Sequence, residues 1–492
     1  MKKQSSHQRR KSPSIVVSPR AVSTQLHRVL TSLGNQMPTP QTLRPWSGDL
    51  PEFRNPSDFA HAYLSAEIFS KFDDGKKSPA KEKLTWERFH AAEEQCRLTN
   101  DFLRSERSST RFFREGEGQS LLWLAASKIR TILGEFSWDE AEKHFGWGPG
   151  ASTRLPRRRS SAIYKYSGVP DTTIGNAALA DACIMRSPLW LEGLEFREGT
   201  GYCNIVSGNR VVTVPKNYKV DRTIAIEPCM NMYVQKGIGG LMRRRLKRAG
   251  IDLDDQTKNQ RMALIGSFAG TLATVDMSMA SDTISHEIVR LLLPPDWFEA
   301  LGQCRSPSGV LPSGEVITYQ KFSSMGNGYT FELETVIFYG LCLAVCDYLR
   351  EKDHRIVVYG DDIIVPTTMV PVLMDLLKYS GFTPNIKKTH TAGPFRESCG
   401  KHYYLGYDVS PFYVKRPVST LSDLFLLHNQ IYRWCSKMDW DDTWSRPILR
   451  DVITSLRKLA PKRWAKPRIP DGLGDGAFVG TFDECTPRCA PD

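Results

Sequence analysis

The residues best placed to do chemistry stand at Tyr359-Gly360-Asp361-Asp362. Arg355-Ile-Val-Val precedes them and Ile363-Ile-Val-Pro366 follows, so two buried strands flank a short glycine-containing turn. Such a hairpin carries an aspartate to the tip of a rigid sheet. Successive side chains on a strand point to opposite faces, so Asp361 and Asp362 meet one ligand unequally, one as a direct metal ligand and the other as its support. Acidic turns are common as solvated surface, and this one alone would be read that way. A second carboxylate changes the reading. Leu272-Ala-Thr-Val275 reads as a strand ending at Asp276, followed by Met277-Ser-Met-Ala-Ser-Asp282. Across a sheet, Asp276 and the hairpin pair could hold two Mg²⁺ ions roughly 3.5–4 Å apart. Mg²⁺ binds through few carboxylates plus substrate phosphates, and Mn²⁺ suits the same oxygen ligands. That chemistry is phosphoryl transfer: one ion lowers the pKa of an attacking hydroxyl and the other neutralises a leaving pyrophosphate.

Three further segments supply groups for a nucleotide. Ser323-Ser324-Met325-Gly326-Asn327-Gly328 opens a long helical stretch. Its glycines allow close backbone approach, and Asn327 offers both a donor and an acceptor. Ser324 and Asn327 would serve equally as helix caps, but beside metal carboxylates a grip on a nucleotide is the better reading. Lys216, Lys219 and Arg222 place three cations within seven residues, suited to a triphosphate, although a spacing of three does not put them on one strand face. Lys387 and Lys388 follow a helix and a strand-like segment, where a lysine near leaving phosphates could act as general acid.

The elements that must position these groups follow from the rest of the chain. It has 492 residues, 40% of them hydrophobic, enough for a sizeable core and about three domains or subdomains. No run of 18 apolar residues and no leader-like start occur, so a soluble chain without membrane association is expected. Lys and Arg number 66 against 54 Asp and Glu, a net charge of +12 that favours a polyanionic partner. Eleven scattered cysteines fit a reducing cytoplasm; Cys342/Cys346 read as core, and Cys485/Cys489 as a weak zinc pattern. Residues 1–20 read as a basic disordered arm, and 21–270 as an N-terminal region of helices, a Gly- and Arg-rich loop at 146–160 and strands over 203–227. The Arg243–Arg248 run ends a helix, where positive charge suits the dipole. From 271 to 418 the pattern is α+β, with a long helix from about Tyr329 to Glu351 and hairpins at Asp361 and near 402–416. Residues 419–465 look helical and carry Trp434, Trp440 and Trp444, and 466–492 read as a loose tail.

Taken in order, these segments resemble the palm motifs of right-hand polymerases. Asp276-Met-Ser-Met-Ala-Ser-Asp282, Ser324-Met-Gly-Asn-Gly-Tyr-Thr-Phe-Glu-Leu-Glu334, Tyr359-Gly-Asp-Asp362 and Gly393-Pro-Phe-Arg-Glu-Ser-Cys-Gly-Lys-His-Tyr-Tyr404 look like the replicase subunit of single-stranded RNA bacteriophages of the Q-beta type. So does Asp408-Val-Ser-Pro-Phe-Tyr413, and Val214-Pro-Lys-Asn with Asp221-Arg222 and Ile226-Glu-Pro228 is similar to that family's fingers motif. The resemblance covers about residues 140–420. It implies an α+β right-hand fold of fingers, palm and thumb, with an antiparallel palm sheet flanked by helices: fingers within 21–270, palm at 271–418 and a helical thumb at 419–465. It implies Mg²⁺ ligands at Asp276, Asp361 and Asp362, ribose 2′-hydroxyl sensing by Asp282 with Asn327, triphosphate contacts from Lys216, Lys219 and Arg222, and Lys387 or Lys388 as proton donor. The implied activity is RNA-directed RNA synthesis from NTPs on a single-stranded RNA template in the bacterial cytoplasm. The implied partners are the host elongation factors Tu and Ts and a ribosomal small-subunit protein.

Two other readings compete. A reverse transcriptase also carries a hairpin with paired aspartates, but usually excludes ribose with an aromatic after its first aspartate, where this chain has Ser278, Ala280 and Ser281. A non-catalytic RNA-binding phage protein would explain charge and aromatics. It would not explain two acidic strand ends with a Gly-Asn loop between them.

Overall fold

A computed structural model describes residues 55–76, 78–108, 117–437 and 447–485, together with Val22, Thr24 and Phe53. The basic arm at 1–20, Trp440, Trp444 and Cys489 lie outside these residues. The described chain divides into two compact units: residues up to 76 with those from 407 onward, and residues 77–406. All the chemical segments belong to the second.

That unit is built around the helix Thr330–Leu349, whose composition is apolar on nearly every side, as a helix enclosed on all faces requires. Leu333, Val336, Ile337, Phe338 and Leu341 are completely buried. Around it pack the helices Glu117–Leu133, Cys229–Arg248 and Val370–Tyr379, and one face of a three-stranded antiparallel sheet. Leu272–Val275 lies at one edge of the sheet, Asp362–Pro366 in the middle and Val357–Tyr359 at the other edge. Alternation sends Val358, Ile363 and Val365 to the main core, while Val357 and Ile364 join a smaller one with Ala263, Leu272 and Tyr403. With both faces covered, these strands read as continuous apolar runs.

A second, four-stranded sheet holds the hairpin Asn209–Pro215/Asp221–Ile226 beside Ser308–Val310 and Val316–Thr318. Val214 pairs with Arg222 near the hairpin's bend. The bend is tied to the long helix Pro79–Ser108 by the Lys81–Asp221 ion pair at 2.7 Å and by Thr85 Oγ1, which accepts from the Asp221 N–H at 3.0 Å. The basic run at the end of Cys229–Arg248 does more than suit a dipole: Arg243 donates to Glu332, and Arg244 and Arg245 both donate to Glu140. Cys342 and Cys346 are buried core residues.

One local expectation is met with a shift of its start, and another is corrected. The second hairpin is Phe395–Ser398/Lys401–Tyr404, turning at Cys399 and Gly400, both at positive φ. Its second strand overlaps the 402–416 span expected to hold a second hairpin, and its first strand begins earlier. Residues 466–485 are not a loose tail: Ile469–Pro470 pairs in parallel with Val479–Gly480, and Phe478 is fully buried against Phe425, centroids 4.7 Å apart. Asn429 fixes this segment by accepting from the Val479 N–H at 2.8 Å and donating to the Ala477 carbonyl at 2.9 Å. The first unit also gathers more than residues 419–465: the Pro56–Glu67 helix joins it, with the Val414 N–H bonded to the Ile68 carbonyl at 2.8 Å. Among the described residues no helix is long and apolar enough to cross a membrane.

Candidate active site

The antiparallel register sets the carboxylates. Val275 pairs with Ile363, and Tyr359 with Asp362. One step beyond the last pair, Asp276 stands opposite Asp362, while Gly360 and Asp361 form the two-residue turn. Gly360 has φ 62°, and a Cβ there would press into the ring of Phe331. Its N–H donates to Thr335 Oγ1 at 3.0 Å, fixing the turn to the central helix. Asp361 is exposed at the tip, and Asp276 and Asp362 are half-buried.

Each inner carboxylate has a neutral positioning partner. Asn385 Nδ2 donates to Asp276 Oδ2 at 2.8 Å, and the Asn385 N–H donates to the Asp276 carbonyl at 2.8 Å. The Cys399 N–H donates to Asp362 Oδ2 at 3.2 Å. Burial pushes the Asp276 carboxyl up to about 6, against Lys388 and Asn385 and helped by Asp361. Burial and the charges of Asp361 and Asp276 push Asp362 up to about 7. The site thus holds negative charge that the surrounding protein does not fully compensate.

Cations collect beside it. Thr383–Pro384 pairs with Met277–Ser278, and Thr274 bridges to His390, so the lysine pair is strapped alongside Asp276. Both lysines are exposed; Lys388 acts on Asp276 and lies 3.4 Å from Glu397. Glu397 also faces His402 Nδ1 at 3.2 Å; despite its burial, His402 and Lys388 hold it below the usual carboxylate range. Lys216 keeps an exposed side chain, yet partial desolvation and then the charges of Arg222, Lys388 and Arg88 lower its ammonium, while Asp276 opposes them. Lys216, Arg222 and Lys388 are therefore brought together, joined by Arg88 from the Pro79–Ser108 helix. Lys219 instead extends over the Tyr218 ring, 5.3 Å from its centre.

The glycine loop is shaped by the neighbouring hairpin. Gly326 has φ 110°, and a Cβ there would press into the Ala225 carbonyl, whose own N–H donates to the Met325 carbonyl at 2.8 Å. Asn327 Oδ1 accepts from the Tyr329 N–H at 3.0 Å and the Ser324 carbonyl accepts from Thr330 Oγ1 at 2.9 Å, so both help start the central helix. Gln235 Oε1 accepts from the Gly328 N–H at 3.0 Å. Asp282, in a short 3₁₀ turn, is buried and accepts from Lys321 Nζ at 2.9 Å.

Arg88, Asn385, Lys321 and Glu334 escape sequence reasoning. Glu334 is buried and accepts from Ser281 Oγ at 3.3 Å through either oxygen; burial and the nearby aspartates hold it well above the ordinary carboxylate range. Its place in a Glu-Leu-Glu run on an apolar helix was the available signal. Arg88 and Asn385 gave none. Among the described residues no three Asp, Glu, His or Cys side chains close into a ready-made metal cage.

Comparisons with known proteins show the family. A family model for the RNA replicase beta-chain matches residues 21–486. The chain is 46% identical over 432 residues to the RNA-directed RNA polymerase subunit beta of Escherichia virus Qbeta, covering 87% of this chain and 70% of that one. It is 43% identical over 433 residues to the corresponding subunit of Enterobacteria phage SP, covering 86% and 71%. Among solved structures, the RNA-dependent RNA polymerase of a human picobirnavirus aligns over 84% of this chain and 91% of its own with a TM-score of 0.42 and 11% identity. That likeness is too distant to add to the sequence relatives. On their strength, the chain belongs to the RNA replicase beta-chain family, the RNA-directed RNA polymerases of RNA phages.

Proposed function

We propose that this chain copies a single-stranded phage RNA by two-metal nucleotidyl transfer from NTPs. The observation that carries the reading is the facing of Asp276 and Asp362 across one register step, with Asp361 at the hairpin tip and the cations Lys216, Arg222, Lys388 and Arg88 alongside. The chain's residues fit Mg²⁺ or Mn²⁺: hard oxygen donors, unrelieved negative charge, and an open arrangement that leaves positions for phosphate oxygens. When bound, such ions would lower the pKa of a 3′-hydroxyl and neutralise pyrophosphate.

The protein's own part is binding and positioning. Asn385 and the Cys399 N–H keep the inner aspartates aimed, so that little reorganisation accompanies reaction. Lys216, Arg222 and Arg88 bind the triphosphate, the arginines through forked contacts, and Lys219 lies farther along the same hairpin as a weaker contributor. Lys388, through its charge interactions with Asp276 and Glu397, is the residue from which a proton reaches the leaving pyrophosphate, in preference to Lys387. Asp282 and Asn327 read the ribose 2′-hydroxyl, with Ser324 and Gly326 shaping the backbone beside it. By family resemblance the working enzyme is an assembly with host elongation factors Tu and Ts and a ribosomal small-subunit protein in the bacterial cytoplasm.

The test supplies an RNA template with labelled ribonucleotides or deoxyribonucleotides and Mg²⁺, with and without bacterial extract. Product complementary to the template, made from ribonucleotides, supports the reading, and dependence on extract points to host subunits. DNA product would favour a reverse transcriptase, and no product in any arm alongside tight RNA binding would favour a non-catalytic RNA-binding protein.

A further inference from the structure

Lys321 is a lysine with almost no contact with water: it is 2% exposed. A buried ammonium is costly unless paired. Here its Nζ lies 2.9 Å from Asp282 Oδ1 and 3.3 Å from Glu93 Oε1. It also lies over the rings of Phe89, at 4.7 Å, and Tyr319, at 5.2 Å. Glu93 is itself anchored, since its Oε2 accepts from the Gln320 N–H at 2.7 Å. The aspartate's backbone is fixed as well. The Asp282 N–H donates to the Met279 carbonyl at 2.9 Å, and the Asp282 carbonyl accepts from Cys96 Sγ at 3.5 Å.

We propose that Lys321, braced by Glu93, is a positioning residue for sugar selection: it occupies one oxygen of Asp282 and presents the other to the ribose. The proposal rests on the reading of Asp282 as the 2′-hydroxyl sensor. An ionised carboxylate only accepts hydrogen bonds, so a ribose hydroxyl must donate to it and a deoxyribose offers nothing. Without the ammonium, a buried Asp282 faces Glu93 across an apolar gap. It would lose the partner that fixes one of its oxygens and turn away, and the aimed acceptor is lost. The burial and the two ring faces suit a fixed brace rather than a group that binds solvent-borne ligands.

The experiment measures single-nucleotide incorporation on an RNA template and compares kcat/KM for a ribonucleotide with that for its 2′-deoxy analogue. Removing Lys321 alone leaves two buried carboxylates and threatens folding, so Lys321→Met is paired with Glu93→Gln, which keeps the triad's net charge. Circular dichroism and RNA binding confirm that this double variant is folded. Its ribose preference should fall by about tenfold, the worth of one hydrogen bond to a charged group. Lys321→Arg should retain the preference to within about threefold, since a guanidinium can bridge both carboxylates. Asp282→Ala serves as the reference. If it relaxes sugar preference while the folded double variant does not, the role of Lys321 is overturned and that of Asp282 stands. If Asp282→Ala leaves the preference unchanged, the sensor reading itself fails and this proposal falls with it.

Discussion

Replacing Asp362 with asparagine should abolish strand extension and yet make the metal-free protein more stable at alkaline pH. Burial, Asp361 and Asp276 raise its carboxyl to about 7 in the folded chain. The unfolded value is near 3.9, so below about pH 4 the group is protonated in both states and no penalty arises. As pH rises from about 4 to about 7, the unfolded chain releases its proton first, and stability falls by ~1.4 kcal/mol per pH unit. The whole interval amounts to ~4 kcal/mol. Asp276 shares the same repulsion and Asp362 retains some solvent, so about half, ~2 kcal/mol, is the appropriate figure. Asparagine keeps an oxygen for the Cys399 N–H, now 3.2 Å away, so the swap removes charge without losing that bond. For a unit of this size ~2 kcal/mol corresponds to ~3 °C in Tm. Scanning fluorimetry in chelator at pH 8.5 should therefore place Asp362→Asn ~3 °C above the parent, with the gap closing to ~1 °C or less at pH 5. Adding Mg²⁺ at pH 8.5 should raise the parent more than the variant. A variant less stable than the parent at pH 8.5, or a gap equal at both pH values, would refute the reasoning.

Lys388→Ala should lower kcat by about 10–100-fold and shift the alkaline limb of the pH–rate profile, whereas Lys387→Ala should stay within about threefold. Steady-state kinetics across pH distinguishes the two. Gly326→Ala forces a Cβ into the Ala225 carbonyl at φ 110°, so nucleotide KM should rise by about tenfold and Tm should fall. Arg396 is fully buried and donates to the carbonyls of Leu272, Phe395 and Gly393 at 2.6, 2.6 and 2.8 Å. Arg396→Met leaves those acceptors unpaired beside the strand that ends at Asp276, and urea unfolding should show a loss of ~3 kcal/mol.

The parts legible in the sequence were those fixed by local chemistry. A glycine turn between apolar runs located the Tyr359–Asp362 hairpin, and a sustained apolar stretch located the Thr330–Leu349 helix. Both are short-range decisions, settled within a few residues. The hairpin expected near 402–416 overlaps the sheet there, but its first strand at Phe395–Ser398 was not legible, because Cys399, not a glycine, takes the first left-handed position of the turn. The C-terminal strand pair was hidden because three apolar residues, Ala477-Phe478-Val479, stand among glycines and acids, and their partner Asn429 lies about fifty residues upstream. Long range also concealed the site's support. Lys321 meets Glu93 and Asp282 from three separate segments, and Asn385 reaches Asp276 only because Thr383–Pro384 adds to the strand after it. Periodicity carries no trace of such pairings. The aspartates could be named from their spacing and resemblance, but the residues that aim them could not.

The most direct measurement is rapid-quench addition of one templated ribonucleotide to an RNA primer, run beside equilibrium RNA binding, for the parent, Asp276→Asn and Asp361→Asn. Loss of each carboxylate should slow the addition step by at least about a thousandfold while RNA affinity stays within about threefold. Addition at near-parental rates in either variant, or loss of RNA binding in step with activity, would contradict the assignment of these strand-end carboxylates to the chemical step.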